Sequence, residues 1–158
     1  MQSYLRVIAI SLGLSIALAF GLWAFGEGGR RYQLVSLGRE VFTLEVAETP
    51  TLQGRGLRGR GSVADNGGMV VQLGKPAILC YSTRHTPFAI DILYFDANDL
   101  VIAIDRLKAN DDRLTASTSP EPVSGALLLP GGTATRLAIR PGYRIQFGRK
   151  PQRTSQFE

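Results

Sequence analysis

The chain has 158 residues, of which 44% are hydrophobic and 20% are charged, and its formal net charge is +5. This length is enough for one domain around a single core, and the composition excludes a chain that is disordered along most of its length. The positive charge raises the question of an anionic partner.

An uncharged apolar run, VIAISLGLSIALAFGLWAF, occupies residues 7–25. At about 1.5 Å per residue it makes a helix of roughly 28 Å, close to the hydrocarbon thickness of a bilayer. Two interpretations are open: a signal peptide cleaved after Ala19 or Gly26, or a retained anchor. The length of the run, and Trp23 near its outer end, favour a single N-terminal transmembrane helix within residues 1–29.

The orientation of this helix depends on flanking charges that nearly balance, since Arg6 lies on one side and Arg30 and Arg31 on the other. An N-terminal apolar segment before a larger polar domain is the usual arrangement for export. We therefore predict a single-pass protein of the bacterial inner membrane, with its C-terminal domain in the periplasm.

Small residues recur every fourth position along the apolar run, which places them on one helical face: Ala9, Gly13, Ala17 and Gly21. Such a face allows another transmembrane helix to approach closely. Chance is the alternative explanation, because eight of the nineteen residues are Ala, Gly or Ser. We expect integral membrane protein partners as well as the lipid bilayer.

Residues 30–148 contain short runs rich in Val, Ile, Leu and Tyr, separated by turn residues. These runs predict strands at YQLVSL, VFTLEVA, GMVVQL, PAILCYS, FAIDILYFD, LVIAIDRL, GALLLP and YRIQF. The clearest hairpin turns through Asn98 and Asp99. The pattern predicts a mostly β domain, a small antiparallel barrel or sandwich with one or two short helices, before a polar tail over residues 149–158.

A short helix is predicted where Thr49 can act as N-cap and Pro50 can occupy the first turn. We expect it to end near Gly59 or Gly61. The lone cysteine, Cys80, cannot form an intramolecular disulfide, and its apolar neighbours in AILCY predict a buried small hydrophobe.

Three segments resemble a bacterial and archaeal family called domain of unknown function 192, in the same order and over about Val41–Phe147. VAETPTLQGRGLRGRGSVADNGGMVVQL resembles its opening, which reads VADTPEERARGLMGR before a loop and a GM strand. YSTRHTPFAIDILYFD echoes its FWMKNTLIPLDILFID, and ALLLPGGTATRLAIRPGYRI resembles LELPAGTVERLGIKVGDRV. The resemblance implies a fold, but no activity, because the family's activity is not established. Ser82, His85 and Ala89 replace the family's Trp, Asn and Pro, so any ligand chemistry of that segment has changed here.

Asp91 is the most informative polar residue, because it lies in an apolar strand on the same face as Ala89 and Leu93. A core-facing carboxylate needs partners, since burying an isolated charge is very costly. We expect those partners in the RHTP loop, residues 84–87, or in the GLRGR segment, residues 56–60.

A catalytic or ligand-binding interpretation makes His85 a general base or metal ligand beside Asp91, in a pocket with Arg84 and Thr86. Metal sites usually require three or four ligands, whereas the chain has one His and one Cys. No catalytic motif is present. We therefore predict no catalytic residue, no cofactor and no metal.

Arg55, Arg58 and Arg60 are candidate partner contacts. Aromatic residues are not interleaved with them as a nucleic-acid stacking surface requires, so we expect no nucleic acid. Anionic lipid headgroups or an acidic partner protein suit these charges better. The alternative is a solvated basic surface.

Two classes of function remain. The first is a membrane-anchored, noncatalytic accessory or interaction subunit of an integral membrane protein complex, with its β domain on the periplasmic side. The second is a small periplasmic ligand-binding protein or enzyme that uses the pocket of Arg84, His85, Thr86 and Asp91. A retained anchor favours the first class, and a cleaved N-terminus favours the second.

Overall fold

The computed structural model of the protein describes residues 30–148 except 112, 114 and 115. The chain divides between residues 30 and 31, and all elements below belong to the second unit. Its helices and strands are, in chain order, β1 Tyr32–Leu37, β2 Glu40–Val46, α1 Pro50–Arg55, β3 Met69–Ala77, β4 Cys80–Tyr81, β5 Ile90–Phe95, β6 Val101–Leu107, β7 Ser117–Thr118, β8 Val123–Pro130, α2 Thr133–Arg136 and β9 Gln146–Phe147.

Seven strands form one curled sheet in the order β6-β5-β8-β3-β2-β1-β9. Each neighbouring pair is antiparallel except β2 and β3, which run parallel. The two end strands of the sheet are β6 and β9. An isolated antiparallel bridge joins Leu100, just before β6, to Arg144, shortly before β9. Strands β4 and β7 form a separate two-stranded sheet. The fold is therefore a mostly β half-barrel with two short helices, which is one curled sheet and not a sandwich of two comparable sheets.

Strand β5, next to the end strand β6, is buried on both faces of the sheet. Leu93 and Phe95 belong to a core cluster that also contains Val35 and Phe42. Ile92, with Ile90 and Tyr94, belongs to a second cluster on the opposite face. Apolar residues at successive positions, instead of simple alternation, follow from this two-sided burial.

The predicted local signals agree well with the structure. Strands β5 and β6 form the expected hairpin, in which Asp99 adopts φ +61. Thr49 caps α1, and its Oγ1 accepts a hydrogen bond of 3.2 Å from Leu52 N. The helix ends earlier than expected, at Arg55, because Gly56 adopts φ +56, at a place where an added Cβ would lie 2.9 Å from the Leu128 side chain and 3.1 Å from the Tyr81 ring.

No helix within residues 30–148, as far as the structure describes them, is long and apolar enough to cross a membrane. The apolar run over residues 7–25, its small-residue face of Ala9, Gly13, Ala17 and Gly21, and the tail over residues 149–158 lie outside the described residues.

Candidate functional site

The carboxylate of Asp91 is fully buried and held from two sides. Arg106 donates from Nε to Oδ1 at 2.7 Å and from Nη2 to Oδ2 at 3.3 Å. The backbone N–H groups of Gly132 and Ala134 donate to Oδ2 at 3.0 and 2.8 Å. The predicted burial of Asp91 is confirmed, but the predicted partners in the RHTP loop and the GLRGR segment are wrong.

The sheet register explains these partners. Asp91 lies opposite Arg106 of β6 and opposite Leu129 of β8, just before the turn into α2. Arg106 also donates from Nη2 to Thr135 Oγ1 at 3.0 Å. Asp91 therefore attaches α2 to the end of the half-barrel, and its negative charge suits the exposed N–H groups at the start of that short helix. Sequence analysis overlooked Arg106, although the hairpin turn at residues 98–99 already places it across from Asp91.

A cavity of about 470 Å³ lies beside this ion pair and includes Ile104, Thr135 and Arg140 in its lining. Its lining contains Asp91 and Arg106, but not Arg84, His85 or Thr86. The carboxylate faces its internal partners, with the side chain only 1% exposed. The predicted four-residue pocket is therefore not formed around Asp91.

The RHTP loop is held by two buried threonines. Thr83 Oγ1 donates to Lys108 O at 2.6 Å, and Thr86 O accepts from Asn110 N at 2.8 Å. Thr86 Oγ1 also accepts from Gly59 N at 3.3 Å, which connects the loop to the GLRGR segment. Thr86 is therefore a structural residue that joins three parts of the chain.

The residues between the two threonines point outward. Arg84 and His85 are both exposed, and His85 adopts the left-handed conformation with φ +58. Neither side chain has a hydrogen-bond partner in the part of the chain that the structure describes. His85 is therefore available to a surface partner, but Asp91 does not orient it.

The three predicted arginine contacts differ in their surroundings. Arg60 donates from Nη2 to both carboxylate oxygens of Glu45, at 2.7 and 2.6 Å, and Glu45 is largely buried. Arg55 donates from Nε to the backbone O of Arg58 at 3.1 Å, and Arg58 is exposed. Glu45 neutralises Arg60, so the segment presents less positive charge than its sequence suggests.

A buried hydrogen-bonded chain lies under the small β4–β7 sheet. Tyr94 Oη and Ser117 Oγ are 2.6 Å apart, and Ser117 Oγ donates to Asp105 Oδ2 at 2.5 Å. Burial, the largest cause, raises the pKa of Tyr94 to about 12. Nearby, Tyr81 Oη is buried without a hydrogen-bond partner among the described residues, and burial raises its pKa above the usual range.

Cys80 is exposed, so the prediction that it is a buried hydrophobe was wrong. Strand β4 has two residues, and alternation turns Tyr81 inward and Cys80 outward. Thr118 Oγ1 lies 3.6 Å from the Cys80 sulfur. An apolar neighbourhood in sequence could not reveal this orientation, because β4 pairs only with the short strand β7.

An opening lies where β2 and β3 separate, and it is called the strand gap here. Its volume is about 830 Å³, and its lining includes Arg31, Gln33, Glu48, Gln53, Gln72 and Leu73. These residues were not predicted as a site, because they come from β1, β3, α1 and the chain just before β1 and just after β2, and share no motif. The strand gap has more room than the cavity beside Asp91.

Two solved structures resemble this fold. A proposed transcription regulator from Sinorhizobium meliloti 1021 is 27% identical, with a TM-score of 0.68, and the match covers 77% of this chain and 98% of that one. A protein of unknown function from Novosphingobium aromaticivorans DSM 12444 is 26% identical, with a TM-score of 0.66, and the match covers 77% and 89% of the two chains. No curated protein matches the chain.

A family profile described as uncharacterized ACR, DUF192, matches residues 33–147. The matched range contains the half-barrel from β1 to β9, the Asp91 centre and most of the strand gap. It also includes all three segments on which the resemblance was based. The chain therefore belongs to the domain of unknown function 192 family.

Proposed function

We propose that this protein is a membrane-anchored, noncatalytic accessory or interaction subunit of an integral membrane protein complex, with its half-barrel on the periplasmic side. The anchor is the apolar run over residues 7–25. The helix packs against the partner within the bilayer, and the half-barrel contacts the partner on the periplasmic side.

The observation that carries this proposal is an exposed apolar stripe on the β1–β2 hairpin. Tyr32, Leu34 and Val41 are each about half exposed, at 53%, 55% and 51%. The register pairs Ser36 with Val41 and Leu34 with Thr43, so the three apolar side chains share the outer face of the hairpin. An exposed apolar surface of this kind is typical of a protein contact.

The position of the stripe in the chain agrees with a partner at the membrane. Six residues, 26–31, lie between Phe25, the end of the apolar run, and Tyr32. An extended chain from Phe25 to Tyr32 spans at most about 25 Å. The stripe can therefore lie close to the outer surface of a bilayer, where an integral membrane protein presents its loops.

The alternative, a ligand-binding protein or enzyme with a pocket of Arg84, His85, Thr86 and Asp91, receives less support. The Asp91 carboxylate accepts its hydrogen bonds from Arg106 and from the backbone at the start of α2, and Thr86 holds the loop in place. His85 is left without the carboxylate that would orient it as a general base.

The test is a purification of the full chain from native membranes in mild detergent, followed by mass spectrometry of the intact chain and its companions. We expect a chain that retains residues 7–25 and an integral membrane protein that accompanies it. A mature chain that begins at Phe20 or Glu27 would contradict the anchor.

A second arm tests the hairpin stripe. The variant Val41→Ser should lower recovery of the companion, whereas Ile78→Ser should keep it, and Val41 is the stripe residue that does not line the opening between β2 and β3. Ile78 is a matched control, because it is also about half exposed, at 49%, but lies outside the hairpin. Equal loss in both variants would remove the stripe as the contact surface.

A further inference from the structure

The curled sheet lacks a strand beside the second half of β3. The parallel pairing of β2 with β3 covers only Glu45 with Met69 and Val46 with Val70. The chain then leaves the sheet to form α1, whereas β3 continues to Ala77. Beyond Val70, that side of β3 has no strand partner in the described part of the chain.

The lining of the strand gap shows that it lies in the plane of the sheet. Val35 and Val70 belong to the same core cluster and so to the same face of the sheet. Gln33 and Gln72 each lie two residues from one of them along a strand, so they share that face. Leu73 belongs to the opposite face. Because residues from both faces line one opening, the gap occupies the position that a strand next to β3 would take.

Gln33 is the second observation that points to a ligand. It is 8% exposed and lines the gap, but its carboxamide has no hydrogen-bond partner within the described residues. The oxygen and nitrogen of this carboxamide are not sealed from solvent as Tyr81 Oη is, so they can accept from and donate to a molecule in the gap. Gln72, which is half-buried, brings a second carboxamide to the same opening.

The charges at the gap select the chemistry of that ligand. Arg31 and Glu48, the two charged residues of the lining, form an ion pair of 2.6 Å and so largely neutralise each other. The remaining polar side chains are three carboxamides and the Tyr32 hydroxyl, which both donate and accept hydrogen bonds. This combination suits an uncharged backbone with alternating N–H and C=O groups better than a charged small molecule.

We infer that the strand gap binds an extended polypeptide segment, which pairs with the free edge of β3 and completes the sheet. This is recognition by strand addition, in which backbone hydrogen bonds supply affinity and side-chain contacts supply specificity. We assign the segment to a membrane partner only on the basis of the proposed function. The pairing of a segment with β3 is independent of that function.

The far end of β3 limits the length of the segment. Lys75 and Pro76 occupy the exposed end of the strand, and both residue types oppose edge pairing. The usable edge is therefore Val71–Gly74, about 13 Å at a rise of about 3.3 Å per residue. The segment pairs over about four residues.

The experiment uses random heptapeptides displayed on phage, selected against the full-length protein in detergent, with the enriched peptides synthesised and titrated by calorimetry. Methylation of single backbone nitrogens should weaken binding about tenfold at alternate positions, where the N–H faces β3, and leave it unchanged at the positions between. Binding that is insensitive to methylation at every position would overturn strand addition.

Variants of the lining provide the second readout. Gln33→Leu should lower peptide affinity about tenfold without lowering the melting temperature, because its amide has no partner in the unbound protein. Gln146→Leu is the matched control on β9, outside the gap, and should retain full affinity. Equal enrichment of peptides by wild type and Gln33→Leu would overturn the assignment of the gap.

These outcomes separate the two proposals. A companion that co-purifies equally with wild type and Gln33→Leu, together with no alternating methylation effect, overturns the strand gap alone. Alternating methylation effects in a protein whose anchor is cleaved support the strand gap and overturn the proposed function.

Discussion

At the residue scale, the buried polar groups of the half-barrel fall into two kinds. Asp91 and the chain of Tyr94, Ser117 and Asp105 are bonded to protein groups. Tyr81 Oη has no such partner among the described residues. The first kind should stabilise the fold, and the second should not.

Replacing Asp91 with alanine should lower the free energy of unfolding by about 1 to 3 kcal/mol. The change leaves Arg106 unpaired and removes the acceptor of the Gly132 and Ala134 N–H groups. Urea unfolding measures the effect, with the exposed Asp65→Ala as control. A variant as stable as wild type would show that the carboxylate contributes nothing to holding α2.

The two buried tyrosines make a matched pair. Tyr94→Phe should lower the free energy of unfolding by about 1 kcal/mol, because Ser117 loses a buried hydrogen-bond partner. Tyr81→Phe should leave it unchanged or raise it slightly, because the lost hydroxyl has no described partner. Thermal unfolding of both variants checks the order, and a larger loss for Tyr81→Phe would contradict it.

Alkaline pH should destabilise the fold through the same residues. Burial raises the pKa of Tyr94 from 10.0 to about 12, so the folded state keeps a proton that the unfolded state releases. This contribution to stability is complete below pH 10 and is lost as pH rises through 12, at about 1.4 kcal/mol per pH unit within that window. Tyr94→Phe should therefore lose less stability than wild type between about pH 9 and about pH 11. Equal losses in urea unfolding would refute this linkage.

At the scale of elements, strand packing depends on where the backbone can accept a side chain. Strand β8 passes so close to β3 and β5 at Gly125 that an added Cβ would lie 2.1 Å from Val71 O and 2.4 Å from the Phe95 ring. Gly54, inside α1, has nothing within 4 Å of the same added atom. The close packing at Gly125 requires glycine, whereas the open space at Gly54 can accept a side chain.

Gly54→Ala should raise the free energy of unfolding by about 0.5 to 1 kcal/mol, because alanine loses less backbone entropy in a helix. Gly125→Ala should lower it by about 2 kcal/mol or more, because the strands must move apart. Chemical unfolding of the two single variants decides the matter. Opposite signs are expected, and a stabilising Gly125→Ala would contradict the close approach of β8.

At the scale of the whole molecule, the proposed anchor and the half-barrel offer separate ways to hold a partner. The helix can pack through Gly13 and Ala17, since small residues allow close contact within a bilayer. The half-barrel can bind through its hairpin stripe and strand gap. Charged contacts by the arginine-rich tail, residues 149–158, are a third way.

Replacing Gly13 and Ala17 with leucine should release the protein from its companion while it stays in the membrane, because bulk separates packed helices. Co-purification from detergent measures release, and the conservative change Leu14→Ile, which introduces no added bulk, is the control. Raised salt should have little effect on a packed helix but should weaken a contact made by the exposed tail. Full retention in the double variant would reduce the helix to a tether.

Much of the fold follows from short-range patterns in the chain. The hairpin of β5 and β6, the Thr49 cap of α1 and the strands β1 and β2 could be predicted, because each depends on residues only a few positions apart. The three family segments, in order, also predicted the family. The burial of Asp91 followed from its apolar strand.

The partners of that carboxylate and the strand gap were decided by the tertiary structure alone. Gly132 and Ala134 reach Asp91 across 41 and 43 residues, and no local pattern specifies such a contact. Strand alternation likewise states which face a residue takes, but not which strand lies beside it. The parallel pairing of β2 with β3 stops after Val46 because the chain turns into α1, and that departure alone leaves the edge of β3 open beside Gln33.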